Sequence, residues 1–383
     1  MLKHGMRKQY LGYAFFLCIL VFIGISWRPW KANGDDYNED HVSPSSSSVI
    51  THMSSPENKT IFYMGDLWTG MEEFLRFDGC EYSNCIMQTS DNPAYLLQAD
   101  AVIFAQNSPQ ITQRVPEHIR QRQLWFIYGV ESPSTPGYSW NSVVNDFNGT
   151  LSYIKSSVPF SVPYGRTYAR ENANYKNFNF AKGKTKGAYA YVSNCNSKQY
   201  DRLDFMKQLS AYVDVDVFGG CTKYSPCRTR FNTTCMYNLH SKYRFYLAFE
   251  NSLCTEYITE KFWRTFESDK YFVPVAFGGL SIDEYDSVAP PNSFIHAYNF
   301  SSVAELGKHL QYLMRNDEAY NRYHRWRESF YTEREASKPA VCNFCKIINK
   351  PEMLTSTKTR KFADEWNDPK NCQRFTKWDA NKD

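Results

Sequence analysis

Short apolar runs recur in two blocks of the chain, and stretches with helical spacing separate them. In the first block, Thr60–Met64, Ala101–Phe104 and Gln123–Tyr128 predict β-strands, and Pro116–Gln121 predicts a short helix between two of them. Strands that alternate with helices are typical of an α/β protein. The first block therefore predicts an open α/β layer.

The second block, residues 187–280, repeats this pattern more clearly. Its apolar runs predict four strands: Ala188–Val192, Val213–Phe218, Phe245–Phe249 and Phe272–Phe277. Helical spacing from Leu203 to Leu209 predicts a helix that starts at Ser193-Asn194, and Thr259–Glu267 predicts a second helix. Two βαβ units imply a parallel sheet. Together the blocks predict two Rossmann-like halves that face a cleft.

One apolar run, Tyr10–Trp27, is much longer than the others and contains no charged residue. As a helix it would span about 27 Å, enough for a thin bilayer. It exceeds the usual apolar core of a signal peptide and no small-residue cleavage site follows, so a signal anchor is favoured over a cleaved signal peptide. Residues 1–9 are then a cytosolic tail and residues 28–59 a flexible polar stem, in a single-pass type II arrangement.

Two further features agree with a lumenal location. Asn-x-Ser/Thr sequons, candidates for N-glycosylation, occur at Asn58, Asn148, Asn232 and Asn299. Of the 11 cysteines, only Cys18 lies in the predicted span, which leaves an even number for disulfides. Cys342 and Cys345 are also spaced like half a zinc site, but the sequence offers no second pair at ligand spacing, so disulfides are favoured.

Composition and charge exclude several classes of function. Aromatic residues make up 17% of the 383 residues, enough for a large core. A net charge of +4 argues against a nucleic-acid-binding protein. The sequence has neither a G-x-G-x-x-G nor a Walker motif, so dinucleotide and ATP sites lose support.

Polar residues follow two of the predicted strands, where ligands of open α/β sheets collect. Glu250–Ser252 end one strand, and Thr259–Lys261 then begin a helix whose N–H groups and ammonium suit phosphate oxygens. An ordinary capped helix start is the alternative there. Ser193-Asn194 end another strand before Arg202, whose planar guanidinium suits a pyrophosphate. The alternative is a surface arginine.

Asp214-Val215-Asp216 is similar to the D-x-D metal motif of one class of sugar transferases. The two acids alternate with valines inside a predicted strand, which favours a structural role. A metal-dependent transferase of that class remains the alternative, and activity that persists in EDTA would exclude it.

The run FYLAFENSLCTEYITEK at Phe245–Lys261, followed by VPVAFGG, resembles the α1,3-fucosyltransferases, glycosyltransferase family 10. Val130–Pro133 (VESP) and Val192–Asn194 (VSN) match as well, and the resemblance covers residues 60–346. Around Ser193–Cys195 and Gly219–Cys221 the chain is closer to plant and invertebrate enzymes that fucosylate the N-glycan core than to vertebrate Lewis-type enzymes.

The resemblance implies a GT-B fold, with an acceptor domain over residues 60–165, a GDP-fucose-binding domain over residues 166–346 and an extension of unassigned role over residues 347–383. It implies an inverting enzyme that transfers L-fucose from GDP-fucose to a GlcNAc of glycoprotein N-glycans in the Golgi lumen, with the Golgi membrane as its location. No tightly bound cofactor or metal is expected, and stimulation by Mn²⁺ or Mg²⁺ is left open.

Residue by residue, the resemblance places Glu131 on the general base. It places seven residues on the donor site: Ser193, Asn194, Arg202, Asn251, Tyr257, Glu260 and Lys261. We also predict that Cys80 and Cys85 pair with Cys342 and Cys345.

Alternatives remain for the acceptor and for activity itself. Core GlcNAc is favoured as the acceptor over antennal LacNAc or LacdiNAc. An inactive, lectin-like homologue is less favoured because Glu131, Arg202, Glu260 and Lys261 are all present, whereas a protein that only binds could lose its base.

Overall fold

The apolar runs of the two blocks form the centres of two parallel β-sheets. The computed structural model of the protein describes residues 57–376, except 66–75, 90–93, 106–114, 136–146, 158, 160, 172, 176, 198, 228–232, 268–270, 335–337, 355–361 and 363. The predicted cytosolic tail, the anchor Tyr10–Trp27, nearly all of the stem and the sequon at Asn232 lie outside the described residues. Within the described ranges, no helix has the length and apolar character needed to cross a membrane.

The first sheet has five parallel strands in the order β2-β1-β3-β4-β5. Their bounds are β1 Lys59–Met64, β2 Cys85–Thr89, β3 Ala101–Ala105, β4 Leu124–Tyr128 and β5 Gly149–Leu151. Helices α1, Ala94–Gln98, and α2, Glu117–Arg120, lie between strands. The three predicted strands and the predicted helix are present. The edge strand β2 was not predicted, because it buries only Cys85.

After a short strand β6, Gly165–Ala169, the chain forms a second parallel sheet in the order β11-β10-β9-β7-β8. Its strands are β7 Lys186–Tyr191, β8 Val215–Phe218, β9 Tyr243–Phe249, β10 Val273–Phe277 and β11 Ile295–His296. Every residue of β9 and β10 is buried, as expected for central strands covered on both faces. The model therefore confirms an α/β protein with parallel sheets.

Helices cover both faces of the second sheet. They are α3 Arg202–Leu209, α4 Thr233–His240, α5 Glu260–Trp263, α6 Ile282–Asp286, α7 Val303–Arg315 and α8 Asp317–Arg322. Helices α3, α7 and α8 pack on the face that carries Leu247 and Val275. Helices α5 and α6 pack on the opposite face, which carries Tyr246 and Ala276. Alternate residues of each strand thus enter different cores.

The prediction that Ser193-Asn194 begins a helix is wrong. Both residues are exposed in a loop, and α3 begins at Arg202. The reason is the cap: the Asp201 carboxylate accepts hydrogen bonds from the N–H groups of Leu203 and Asp204, at 3.1 and 3.0 Å. These N–H groups have no partner inside the helix, so a carboxylate at this position sets the helix start.

Strand β12, Phe330–Arg334, pairs antiparallel with β6, and the chain then returns to the first sheet as helix α9, Lys338–Asn349. The apolar face of α9 joins the core of that sheet, where the Phe344 and Phe126 rings lie 4.8 Å apart. Helix α9 therefore crosses the predicted boundary at residue 346 and belongs, by its packing, with the first sheet.

Two disulfides fasten α9 to the first sheet, Cys80–Cys342 and Cys85–Cys345. The pairing prediction is confirmed, and the zinc alternative for the C-x-x-C pair is wrong because both sulfurs are engaged in disulfides. Three further bonds were not predicted: Cys195–Cys221, Cys227–Cys235 and Cys254–Cys372.

Three of the four sequons lie in the described residues. Asn58 and Asn299 are exposed, whereas Asn148 is half-buried and its side-chain oxygen accepts a hydrogen bond from the N–H of Trp125 at 2.8 Å. Glycosylation at these sites stays a prediction, with Asn58 and Asn299 the more accessible asparagines.

Candidate functional site

The predicted site residues follow the carboxyl ends of β4, β7 and β9. Glu131 comes three residues after β4, in a loop formed by residues 129–135. We call this segment the base loop, after the role predicted for Glu131. Residues 193–201, between β7 and α3, and residues 250–259, between β9 and α5, are called the two donor loops, after the donor-binding residues predicted in them. The carboxyl end of a parallel sheet is where ligands bind in open α/β proteins.

A fully buried carboxylate organises the second donor loop. Glu250 accepts hydrogen bonds from the Thr259 N–H at 2.8 Å and from the Thr259 hydroxyl at 2.8–2.9 Å, and Lys261 Nζ lies 3.2 Å from it. Gly278 makes room for this side chain, since a Cβ there would lie 2.5 Å from Glu250 Cγ. Thr259 in turn caps α5. A buried carboxylate is tolerated because charged and polar donors surround it.

Lys261 lies between two carboxylates and is 18% exposed. Its Nζ is 3.3 Å from Glu260 Oε1 and 2.9 Å from Thr259 Oγ1. Burial alone would lower the pKa of Lys261, but the charges of Glu250 and Glu260 outweigh burial and raise it. Although burial opposes it, the cations of Lys261 and Arg264 hold the pKa of Glu260 at about 2. Both groups therefore stay charged at neutral pH.

The base loop and the second donor loop meet at a phenol. Tyr257 Oη lies 3.3 Å from Glu131 Oε2 and 3.2 Å from Asn251 Oδ1, so its single proton can be donated to either acceptor. Burial raises the pKa of Glu131 above its ordinary value, and the charge of Lys261 only partly offsets this effect. A carboxylate with a raised pKa is a stronger proton acceptor, as a general base requires.

Serine hydroxyls join the same two loops beside Glu131 and Asn251. Ser132 Oγ and Ser134 Oγ each lie 2.8 Å from Ser252 Oγ. Tyr164 Oη donates to the Val130 carbonyl at 2.7 Å and so holds the loop from its other side. We call the Ser132–Ser134–Ser252 cluster the serine seam. It fixes the residue after Glu131 against the residue after Asn251.

Arg202 is only 2% exposed, so the surface alternative is wrong. Its guanidinium donates to the Phe249 carbonyl at 3.2 Å and to the Asn194 carbonyl. It thereby ties the first donor loop to the end of β9, next to Glu250. Ser193 and Asn194 lie exposed on the rim of the same loop. In this arrangement Arg202 fixes the first donor loop beside the start of the second, and its positive charge acts to lower the pKa of Lys261.

The acids of the D-x-D motif are not part of this constellation. Asp216 accepts a hydrogen bond from Tyr243 Oη and pairs with Lys186 Nζ at 2.8 Å. Asp214 is exposed just before β8, at the amino end of the sheet and away from the donor loops. Within the described ranges, no group of three His, Cys, Asp or Glu residues is arranged to hold a metal ion.

No role was predicted for Glu250 or for the serine seam. The sequence did carry a signal for Glu250. A carboxylate directly after a fully apolar strand end is expected to be buried, and a buried carboxylate requires hydrogen-bond donors around it. The seam had no comparable signal, since Ser132 and Ser252 are 120 residues apart.

Two protein-family models together match nearly the whole described part of the chain. The model "Glycosyltransferase family 10 (fucosyltransferase) C-term" matches residues 181–366, and the model "Fucosyltransferase, N-terminal" matches residues 43–165. The matched ranges include the base loop and both donor loops.

Similar proteins carry α1,3-fucosyltransferase names. The chain is 36% identical over 284 residues to the human 4-galactosyl-N-acetylglucosaminide 3-alpha-L-fucosyltransferase FUT6, covering 72% of this chain and 73% of that protein. It is 31% identical over 271 residues to the Caenorhabditis elegans alpha-(1,3)-fucosyltransferase fut-1, covering 69% and 58%. It is 28% identical over 346 residues to the Drosophila melanogaster glycoprotein 3-alpha-L-fucosyltransferase A, covering 85% and 66%. The chain thus spans less than two thirds of the length of the nematode and fly proteins.

A solved structure titled as an α1,3-fucosyltransferase with GDP-fucose aligns over 82% of this chain and 94% of that chain, with 17% identity and a TM-score of 0.48, too low to bear on the fold. The two family models and the human relative are sufficient to assign the family. The chain belongs to glycosyltransferase family 10, the fucosyltransferases.

Proposed function

We propose that this protein is an inverting α1,3-fucosyltransferase that transfers L-fucose from GDP-fucose to a GlcNAc of glycoprotein N-glycans. One observation carries the proposal. Glu131, a carboxylate whose pKa is raised by burial, is contributed by the base loop and hydrogen-bonds Tyr257, on the loop that leads to Lys261. A proton acceptor and a cation suited to a diphosphate are thereby placed at one junction.

In the proposed reaction, Glu131 takes the proton of an acceptor hydroxyl as its oxygen attacks C1 of fucose. The new C1–O bond forms as the bond from C1 to the diphosphate breaks, and attack from the opposite face inverts the configuration. GDP leaves with the bonding electron pair. Lys261 and Arg202 stabilise the charge that develops on the diphosphate, because cations already in place need little reorganisation.

The remaining donor residues have supporting roles in this scheme. Asn251, Tyr257 and Glu260 bind the nucleotide sugar, with Glu260 on a ribose or fucose hydroxyl, and Ser193 and Asn194 lie beside the diphosphate. The fold we propose is GT-B, with an acceptor domain over residues 60–165 and a GDP-fucose-binding domain over residues 166–346, of which the α9 part packs with the first sheet. Two parallel sheets with converging loops support it.

For the acceptor, we propose the core GlcNAc of N-glycans. The supporting features are Ser193–Cys195 and Gly219–Cys221, whose similarity to core-type enzymes led to this prediction. The Cys195–Cys221 disulfide joins these two segments and has one of its cysteines, Cys195, in the first donor loop. The names of the relatives point in two directions: the fly name refers to a glycoprotein and the human name to a galactosylated GlcNAc. Antennal LacNAc or LacdiNAc is the second candidate.

We further propose a Golgi location with the catalytic part in the lumen, anchored through Tyr10–Trp27 as a type II protein. The five disulfides support an oxidising compartment. No tightly bound cofactor enters the scheme. Added Mn²⁺ or Mg²⁺ would act on the diphosphate from solution.

The test is an assay of the full-length protein with GDP-fucose and defined N-glycans. One acceptor carries only the trimannosyl core on its two GlcNAc residues, and the others carry LacNAc or LacdiNAc antennae. We expect fucose on the core GlcNAc in α1,3 linkage, read by mass spectrometry and NMR. Transfer only to antennae would favour the second candidate, and transfer to no acceptor would favour the lectin-like homologue. A parallel assay in EDTA, with and without Mn²⁺, tests the metal-dependent alternative.

A further inference from the structure

A segment with no role predicted from the sequence lies against both donor loops. We call residues 364–376 the C-terminal strap. It follows α9, and the family model ends at residue 366, so most of the strap lies beyond the part of the chain that matches the family model. Its first residues, 364–367, are helical, and the rest is extended or in short turns.

The strap is bonded covalently and through its backbone to the second donor loop. Cys372 forms a disulfide with Cys254, which is fully buried. On either side of this bond, the Thr255 N–H donates to the Asn371 carbonyl at 2.8 Å and the Gln373 N–H donates to the Leu253 carbonyl at 2.9 Å. These three links fall in the middle of the loop that begins with Glu250-Asn251 and ends at the start of α5.

The far end of the strap contacts the first donor loop. The Phe375 N–H donates to the Gln199 carbonyl at 3.3 Å. The Phe375 ring packs against the Phe277 ring at 4.8 Å and stacks on the Tyr298 ring at 5.4 Å. Next to Gln199, Tyr200 Oη donates to the Glu250 carbonyl at 2.7 Å. One segment of chain therefore spans both donor loops.

The near end of the strap is held in the core between the two halves. Trp366 is 1% exposed, and its ring lies 5.8 Å from the Tyr153 ring. Tyr153 lies 5.2 Å from the ring of Tyr257, whose hydroxyl contacts Glu131. The Asn371 side chain donates to the Trp366 carbonyl at 3.2 Å and links the helical start of the strap to its disulfide.

We propose that the C-terminal strap is a positioning element of the diphosphate site, and that the Cys254–Cys372 disulfide is the bond through which it holds both donor loops ready to bind GDP. The proposal rests on the proposed function, since it assigns the ligand of these loops. Loops fixed before binding lose little conformational freedom on binding, which increases affinity. The strap donates no group to Glu131, so its loss should weaken donor binding far more than turnover at saturating donor.

The test compares two pairs of cysteines in the full-length protein. Cys254→Ala combined with Cys372→Ala removes the bond of the strap. Cys227→Ala combined with Cys235→Ala is the matched control, because that disulfide joins the start of α4 to a cysteine only eight residues earlier. GDP is the probe, and its dissociation constant is measured by calorimetry beside kcat and the KM for GDP-fucose. We expect the strap variant to bind GDP about tenfold more weakly, a change of about 1.4 kcal/mol. We expect kcat to stay within about threefold of the original, because the base is untouched.

A second variant, Phe375→Ala, loosens the far end of the strap and leaves all disulfides in place. It should also weaken GDP binding, by a smaller factor, and it tests the strap if the double cysteine variant does not fold. Unchanged GDP affinity in both variants, with normal binding by the original protein, would overturn the positioning role alone. Equal weakening by the control pair would overturn it as well. No GDP binding by the original protein would overturn the proposed function and the strap proposal with it.

Discussion

The base loop and the second donor loop meet at Tyr257, yet they are held in different ways. The second donor loop is held by the buried Glu250 carboxylate, by the cap at Thr259 and by the Cys254–Cys372 disulfide. The base loop is held mainly through hydroxyls, with the serine seam on one side and Tyr164 on the other. Part of what positions Glu131 therefore belongs to the opposite half of the molecule.

Because of this difference, mutations in the two regions should have different kinetic effects. Changes within the donor loops remove charge or order from the nucleotide site and should affect donor binding first. Changes in the base loop, including its serines Ser132 and Ser134, leave the residues of the donor loops unchanged and should lower turnover alone. The ratio of the effects on KM and kcat distinguishes the two regions.

The largest effect is expected for Glu131→Gln. Glutamine keeps the shape and can still accept the hydrogen bond from Tyr257, but it cannot take a proton from the acceptor. We expect kcat to fall about 10²- to 10⁴-fold, the usual contribution of a positioned base, with GDP affinity unchanged. Steady-state kinetics and calorimetry with GDP measure the two quantities. Near-normal kcat would mean that another carboxylate is the base, and lost GDP binding would move Glu131 to the donor site.

Lys261→Ala should damage both quantities. It removes a cation from the proposed diphosphate site and leaves the buried Glu250 without its charged partner. We expect kcat/KM for GDP-fucose to fall about 10²- to 10³-fold, with a raised KM and a lowered kcat. The matched control is Lys186→Ala, whose lysine pairs with Asp216 at 2.8 Å far from the donor loops. A comparable loss in that control would point to the D-x-D acids instead.

The two disulfides of α9 should affect stability rather than chemistry. Each closes a loop of more than 250 residues, with sequence separations of 262 and 260. Replacing either pair by alanines should lower the free energy of unfolding by about 2–5 kcal/mol. The control is the Cys227–Cys235 pair, with a separation of 8, whose loss should cost less. Chemical denaturation followed by tryptophan fluorescence measures both, and equal losses would argue against the entropic account.

Ser132→Ala should produce a modest loss confined to turnover. It removes one hydroxyl of the serine seam and loosens the residue after Glu131. We expect kcat to fall about 2- to 10-fold, in proportion to one hydrogen bond of about 0.5–1.5 kcal/mol, with GDP affinity unchanged. Ser210→Ala is the control, since that hydroxyl donates only within its own helix end, to the Lys207 carbonyl. A raised KM for the donor in Ser132→Ala would contradict the division between the two regions.

The smallest effect is on the pH profile. Only ionised Glu131 accepts a proton, so kcat/KM should fall as pH decreases through its pKa. Burial raises that pKa above the ordinary glutamate value of 4.5, so the acid limb of the pH profile should lie above pH 4.5. The Tyr257 hydrogen bond favours the ionised form, so Tyr257→Phe should move the limb up by roughly 0.4–1 pH unit. A limb that stays in place or moves to lower pH would show that Tyr257 does not act on the base.

The central strands and the edge strand β8 were predictable, whereas the edge strands β2 and β11 were not. The runs that became β9 and β10 are buried on both faces, so their apolar character is visible in the sequence alone. Strand β11 has two residues and exists only because it pairs with β10. Similarly, the start of α3 depends on the Asp201 carboxylate, which overrides the equally suitable Ser193-Asn194.

Within the site, motif positions led to Glu131, Tyr257 and Lys261, which the structure brings to one junction. They could not show that Arg202 donates to the carbonyls of Asn194 and Phe249, or that Ser252 contacts the base loop. The contacts of Arg202 with Phe249 and of Ser252 with Ser132 join residues 47 and 120 positions apart, so no local pattern reports them.

By itself, the sequence determined the family, the alternation of strands and helices, and the carboxylates and cations that follow the strand ends. The elements and the residues that follow them depend on burial and hydrogen bonding within single segments, which leave a local pattern in the sequence. Tertiary structure decided that Cys254 pairs with Cys372, that α9 belongs with the first sheet, and that the strap spans both donor loops. A disulfide requires Cα atoms within about 7 Å, and only the folded chain brings such distant residues that close.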